Sequence, residues 1–244
     1  EVIPVLDRRL KYAFEANGLN SEKLLTEKAF PRYRFGDWVG GDRDGHPFVT
    51  AEITEETLML FRLYAFVVIR RRLLYLIKTL SFQLDLKEAP DALRNRVNEL
   101  TGEQGEAVIQ RNKGEAFRQF LSLVLGKLPL NTERGHSTTL RENENDYRLR
   151  EELIDDLKIL HRSLLAYGAK SVANEDVHDV IRLVETFGFH LAEVDIRQNS
   201  VFHEKTISQL MHAAEMDGKA FLKWSFEERR EFMLEELKTL RPFS

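Results

Sequence analysis

Residues 58–80 are apolar at Leu58, Phe61, Leu63, Tyr64, Phe66, Val67, Val68, Leu73, Leu74, Leu76, Ile77 and Leu80, which covers most of the circumference of a helix. A helix that is apolar nearly all round must be buried by other elements. The chain is therefore constrained to an array of helices. Thr54, Thr57, Glu55 and Glu56 supply the start signal, and the pattern predicts a helix to about residue 86. Arg62, Arg70, Arg71, Arg72 and Lys78 interrupt the run, which rules it out as a bilayer span of roughly 20 apolar residues.

The rest of the pattern agrees. Helical spacing recurs over residues 2–16 up to Gly18, and from Ser21 to Pro31. It returns over 90–100, over 116–125 up to Gly126, over 146–167 up to Gly168, and from an Asn174 cap to Gly188. Two more helices follow, from Ser200 to about residue 216 and from a capping box at Ser225 and Glu228. Only residues 33–39 and 191–196 alternate as short strands, with His190 beside the second as a core histidine. The two strands lie far apart in sequence, so they pair with each other or with strands outside the chain. Residues 130–146, polar and aperiodic, read as an exposed loop that holds Arg134 and His136. The reading is a mainly α fold with two short β-strands, and residues 1–244 as a single partial domain, like a cut-out piece.

Charge and composition exclude several functions. A net charge of −4 from 36 basic and 40 acidic residues gives no drive toward nucleic acid or an anionic membrane. The absence of cysteine excludes a disulfide framework, a thiolate zinc site and a cysteine nucleophile, and fits a reducing compartment. There is no Walker loop, dinucleotide fingerprint or His-Glu-x-x-His.

Chemistry concentrates in two stretches. Residues 35–50 read FGDWVGGDRDGHPFVT. Gly40, Gly41 and Gly45 let backbone approach other groups closely. Arg43 sits between Asp42 and Asp44, and its fork suits phosphate or carboxylate. Composition alone leaves a plain surface turn open. A calcium loop beginning at Asp42 fails, because its twelfth position is Ile53 rather than a glutamate. Residues 187–200 read FGFHLAEVDIRQNS and place Asp195 and Arg197 just past a strand. A structural salt bridge is the alternative there.

Together the two stretches resemble signatures of the phosphoenolpyruvate carboxylase family, FGSWxGGDRDGNPxVT and FGFHLAxLDIRQES, in the same order. Asp37 stands where that motif has serine, and His46 where it has asparagine. The tail WSFEERREFMLEELKTLRPFS resembles the segment that follows in the family. The resemblance implies part of a helix-rich (β/α)8 barrel. It also implies a cytoplasmic enzyme, usually a tetramer, that joins bicarbonate to phosphoenolpyruvate with Mg²⁺ or Mn²⁺, giving oxaloacetate and phosphate. By the same resemblance Arg197, Arg43 and Trp38 face the substrate, and Gly40, Gly41, Asp42, Asp44 and Gly45 shape the loop. The family's catalytic histidine sits in a His-Pro-Thr motif and its metal-binding acids lie near a GRGG loop. Neither motif occurs here, so this segment holds no catalytic or metal-binding residue and is inactive without the remaining barrel segments. The alternative is a non-catalytic helical binding or scaffolding module derived from that fold.

Overall fold

The computed structural model describes residues 2–26, 30–44, 46, 48–132 and 137–238. It is mainly α. In chain order the elements are α1 (Val2–Ala16), α2 (Glu22–Thr26), β1 (Gly36–Asp37), α3 (Ala51–Thr79), α4 (Asp91–Gln104), α5 (Ala107–Gln110), α6 (Ala116–Gly126), β2 (Leu130–Asn131) and β3 (Thr139–Leu140). There follow α7 (Arg150–Tyr167), α8 (Lys170–Val172), α9 (His178–Phe187), β4 (Glu193–Val194), α10 (Ser200–Ala213), α11 (Gly218–Phe221) and α12 (Phe226–Glu236). A π-helical turn, Ala173–Val177, joins α8 to α9. No described helix is long and apolar enough to cross a membrane. The chain forms two compact units, a larger one of residues 1–36 and 58–193 and a smaller one of residues 37–57 and 194–244.

In the larger unit, α3, α4, α6, α7 and α9 share one core. Phe66, Ile69, Leu73 and Leu76 form the buried stripe of α3 at helical spacing, continued by Leu80 just past its end, against Phe117, Phe120, Leu157 and Leu160 among others. The expectation that α3 is buried all round is corrected. Tyr64 and Tyr75 are half exposed, as are Met59 and Leu60, so only one face of the helix is covered. Its end also falls earlier than the pattern suggested, at Thr79 rather than near residue 86. Beyond it the chain runs extended: the Leu84 amide donates to the Gly114 carbonyl and the Ala116 amide to the Leu84 carbonyl. A tertiary backbone partner there replaces the next helical turn.

Two further expectations change. Asn174 does not cap a helix. Helical backbone already starts at Lys170, and the Asn174 side chain meets His161 Nε2 at 3.0 Å inside the π-helical turn. His190 is exposed rather than core, in the turn before β4. Within residues 130–146, β2 and β3 pair antiparallel with Leu130 opposite Leu140. Arg141 ties this segment down by donating to Asp146 and to the carbonyls of Gly126 and Leu128. Arg134 and His136 lie outside the described residues.

One buried ion pair fastens α1 to α9. Arg182 Nε donates to Asp7 Oδ2 at 2.8 Å, and both side chains are about 5% exposed or less. Arg182 also donates to the Pro31 carbonyl at 2.6 Å.

The smaller unit builds its helical part on Phe221, whose ring packs edge-on against Trp224 and Phe232. Ser208 donates to the Gly218 carbonyl. The Ser225–Glu228 capping box is present, with reciprocal bonds of 3.3 and 2.7 Å.

Candidate functional site

The two strands of the sequence reading, β1 and β4, are hydrogen-bonded neighbours. Each is two residues long, shorter than the alternation suggested, because the chain turns away at Trp38 and after Asp195. At the end that leads into the smaller unit, the Asp195 amide donates to the Asp37 carbonyl at 2.7 Å. The contact then skips the glycine turn and resumes. The Arg197 amide donates to the Gly41 carbonyl at 3.0 Å, and the Arg43 amide to the Arg197 carbonyl at 2.9 Å. Asp42 and Arg197 form a parallel bridge. Main-chain bonds thus join the two chemistry-bearing stretches into one corner.

The turn has identifiable causes. Asp37 Oδ1 accepts from the amides of Trp38 (2.8 Å) and Val39 (3.1 Å), an Asx turn that starts the reversal. Its carboxylate is thus directed at backbone donors. The amides of Gly41 and Asp42 both donate to the Trp38 carbonyl and close the turn. Gly40 has φ +75°, and a Cβ there would stand 2.2 Å from Thr57 Oγ1. A Cβ on Gly41 would stand 2.4 Å from the Asp195 carbonyl oxygen. These glycines permit a close approach that no other residue allows.

Two guanidinium groups occupy the corner. Arg197 lies over the face of Trp38, 4.8 Å from the ring centroid, while Trp38 itself is 53% exposed. The Arg197 side chain makes no hydrogen bond or ion pair to any described residue, so its donors face solvent on an aromatic platform. Arg43 is half-buried. Its Nη2 donates to Thr54 Oγ1 at 2.8 Å, and its Nε is buried without a partner among the described residues. A free fork next to a fixed one is chemistry suited to a planar or tetrahedral anion.

The side chains of Asp42 and Asp44 make no hydrogen bond or ion pair to a described residue, and Asp44 is exposed. His46 is exposed, its ring 5.9 Å from that of Phe48. Gly45 lies outside the described residues. Beside the corner, the Thr50 hydroxyl, Glu52's own amide and the charge of Arg43 hold the Glu52 carboxyl below its usual range. Among the described residues no group of three or more His, Asp or Glu side chains converges as a metal site requires. These described residues do not fit a metal.

What the sequence reading missed is Thr54. The sequence pattern marks it only as part of a helix start. Here the helix starts at Ala51, and the buried Thr54 hydroxyl turns outward from α3 to the loop. The available signal was its place four residues after Thr50 and three before Thr57, which puts threonines on one helical face behind a Gly-Gly turn.

A mainly α chain in which two short strands carry an arginine and a glycine-rich turn into one exposed corner has the makings of an anion-recognition domain. Comparison with known sequences narrows this. The chain matches the phosphoenolpyruvate carboxylase family over residues 1–244. It is 34% identical over 229 residues to a phosphoenolpyruvate carboxylase of Rhodopseudomonas palustris, covering 93% of this chain and 24% of that protein. It is 37% identical over 182 residues to the enzyme of that name from Methylorubrum extorquens, 74% of this chain and 20% of that one. It is 30% identical over 255 aligned residues to the housekeeping isozyme of Glycine max, 98% of this chain and 25% of that one. The chain belongs to the phosphoenolpyruvate carboxylase family. It spans about a quarter of the length of the curated relatives it matches.

Proposed function

We propose that this chain is part of a phosphoenolpyruvate carboxylase and supplies one wall of its substrate site. Arg197 contacts the phosphate of phosphoenolpyruvate, with Arg43 and Trp38 beside it. The observation that carries the reading is the Arg197 guanidinium, which has no hydrogen-bond or ion-pair partner among the described residues, stacks on Trp38 and is bonded through its main chain to Gly41 and Arg43.

In the reaction a bicarbonate oxygen attacks phosphorus and the bond from phosphorus to the enol oxygen breaks. Carboxyphosphate and the pyruvate enolate result. Carboxyphosphate releases carbon dioxide and phosphate, and the enolate carbon attacks carbon dioxide to give oxaloacetate. Charge spreads over the phosphoryl oxygens during transfer. A guanidinium already oriented by an aromatic face stabilises that charge without reorganising. The glycine turn lets the substrate lie close to backbone, and Asp37 holds the turn's first two amides.

The acid–base histidine and the ligands of the divalent metal, Mg²⁺ or Mn²⁺, are assigned to parts of the enzyme not among these 244 residues. Alone, these residues give no turnover and belong to a larger domain with the remaining barrel segments. The whole enzyme is a cytoplasmic lyase for carbon fixation, assembled as a homotetramer.

The test is steady-state oxaloacetate formation by the natural protein that carries this sequence, as wild type and as Arg197→Gln. An active wild type whose phosphoenolpyruvate KM rises at least tenfold in the variant supports the reading. A silent wild type favours the non-catalytic binding module. An active wild type with an unaffected variant removes Arg197 from the site.

A further inference from the structure

We propose that Thr54 is a positioning residue for the anion corner, fixing the Arg43 guanidinium and the glycine turn through one hydroxyl. The inference rests on the proposed reading that places Arg43 beside the substrate phosphate.

Thr54 is 7% exposed and lies in the first turn of α3. Its Oγ1 has three neighbours in hydrogen-bond range: the Gly40 carbonyl at 2.7 Å, the Thr50 carbonyl at 3.1 Å and Arg43 Nη2 at 2.8 Å. A hydroxyl has one proton to give and two lone pairs to receive with. The arginine can only donate, so the hydroxyl accepts from it. Its own proton then goes to a carbonyl, and the shorter contact is Gly40. The result is a chain from Arg43 Nη2 through Thr54 Oγ1 to the Gly40 carbonyl, in which each bond polarises the next.

This is the one hydrogen bond that orients the Arg43 guanidinium among the described residues, since Nε has no partner. It also reaches both halves of the loop at once, Gly40 before the aspartates and Arg43 between them. Other threonines of the same helix do something simpler. Thr57 and Thr79 donate to the carbonyls of Ile53 and Tyr75, four residues back in their own helix. The Thr54 hydroxyl thus holds the loop from the helix side. Being on a helix, it is a more rigid anchor than a loop side chain.

The experiment uses the natural protein carrying this sequence, with Thr54→Val, Thr54→Ser, Thr79→Val, Arg43→Gln and the Thr54→Val/Arg43→Gln double variant. Thr54→Ala reads the same loss if Thr54→Val does not fold. Readouts are KM and kcat for phosphoenolpyruvate, affinity for inorganic phosphate by calorimetry, and Tm. Loss of a hydrogen bond from a charged donor predicts a KM and a phosphate Kd raised about tenfold in Thr54→Val. Thr54→Ser restores both, Thr79→Val leaves both unchanged, and the double variant is no worse than Arg43→Gln alone. The proposal is overturned by wild-type KM and phosphate Kd in Thr54→Val, by a serine variant as poor as the valine, or by additive losses in the double variant. A wild type without turnover that still binds phosphate defeats the assigned reaction, and the phosphate data then decide Thr54 alone. A wild type that does neither defeats both.

Discussion

Gly41→Ala should loosen the joint between the two stretches that build the corner. Gly41 does not have a positive φ, so alanine is allowed on conformational grounds and the penalty is steric. The added methyl carbon would stand 2.4 Å from the Asp195 carbonyl oxygen and 2.7 Å from Val194 Cγ1. Ordinary carbon contacts lie near 3.5 Å, so backbone must give way by about 1 Å. That displacement breaks or stretches two bonds, Arg197 N to Gly41 O and Arg43 N to Arg197 O. At about 1 kcal/mol each, with about 1–3 kcal/mol for overpacking, the local loss is about 3–5 kcal/mol. Gly102→Ala is the matched control. It sits within α4 with nothing within 4 Å of its added Cβ, and should stabilise by about 0.5–1 kcal/mol. Hydrogen exchange is the assay, because it reads the amides of Arg43 and Arg197 directly. The expected result is a loss of protection at both amides in Gly41→Ala, with weaker phosphoenolpyruvate binding. Wild-type protection at both would refute the steric argument.

Other consequences follow from the larger unit and the platform. Burial first, then the charges of Lys11, Arg182 and His161, push the His178 imidazole down to about 3. Between the unfolded value near 6.5 and that figure, the unfolded chain binds a proton the folded chain refuses. Stability therefore falls as pH drops through this window, by up to about 5 kcal/mol; urea unfolding of His178→Phe against pH should show that part of the slope gone, and an unchanged slope would contradict it. Asp7→Ala leaves the buried Arg182 with the part-exposed Glu185 as its remaining carboxylate partner at 3.3 Å, and should cost about 3 kcal/mol by urea unfolding; a cost under 1 kcal/mol would mean that Glu185 alone satisfies the charge. Trp38→Leu removes a cation–π contact worth about 0.5–2 kcal/mol, so phosphoenolpyruvate affinity should drop about two- to thirtyfold by calorimetry, and unchanged affinity would leave the stacking without a role.

Local rules read well where local chemistry decides. Gly18, Gly168 and Gly188 end helices with positive φ as their positions implied, and the Ser225–Glu228 box caps α12. The residues of the corner were also visible, since glycines flanking an Asp-Arg-Asp run are rare in a mere connector. What the sequence could not convey was set by tertiary partners. The end of α3 moved because Leu84 found backbone at Gly114 and Ala116. The exposed face of α3, with Tyr64 and Tyr75, carries the same apolar letters as the buried one. Asn174 has the right identity for a cap but is taken up by His161. Thr54 looked like a helix start because threonine is common there, and only the folded turn reveals the arginine at its hydroxyl.

The most direct test of the central claim, that both stretches form one anion site, is calorimetric titration of phosphoenolpyruvate into the natural protein carrying this sequence. Wild type, Arg197→Gln and Arg43→Gln would be compared at equal folded fraction. Weakening of at least tenfold in each variant is the predicted result. Wild-type affinity in either one would contradict it, because that arginine would then stand outside the site.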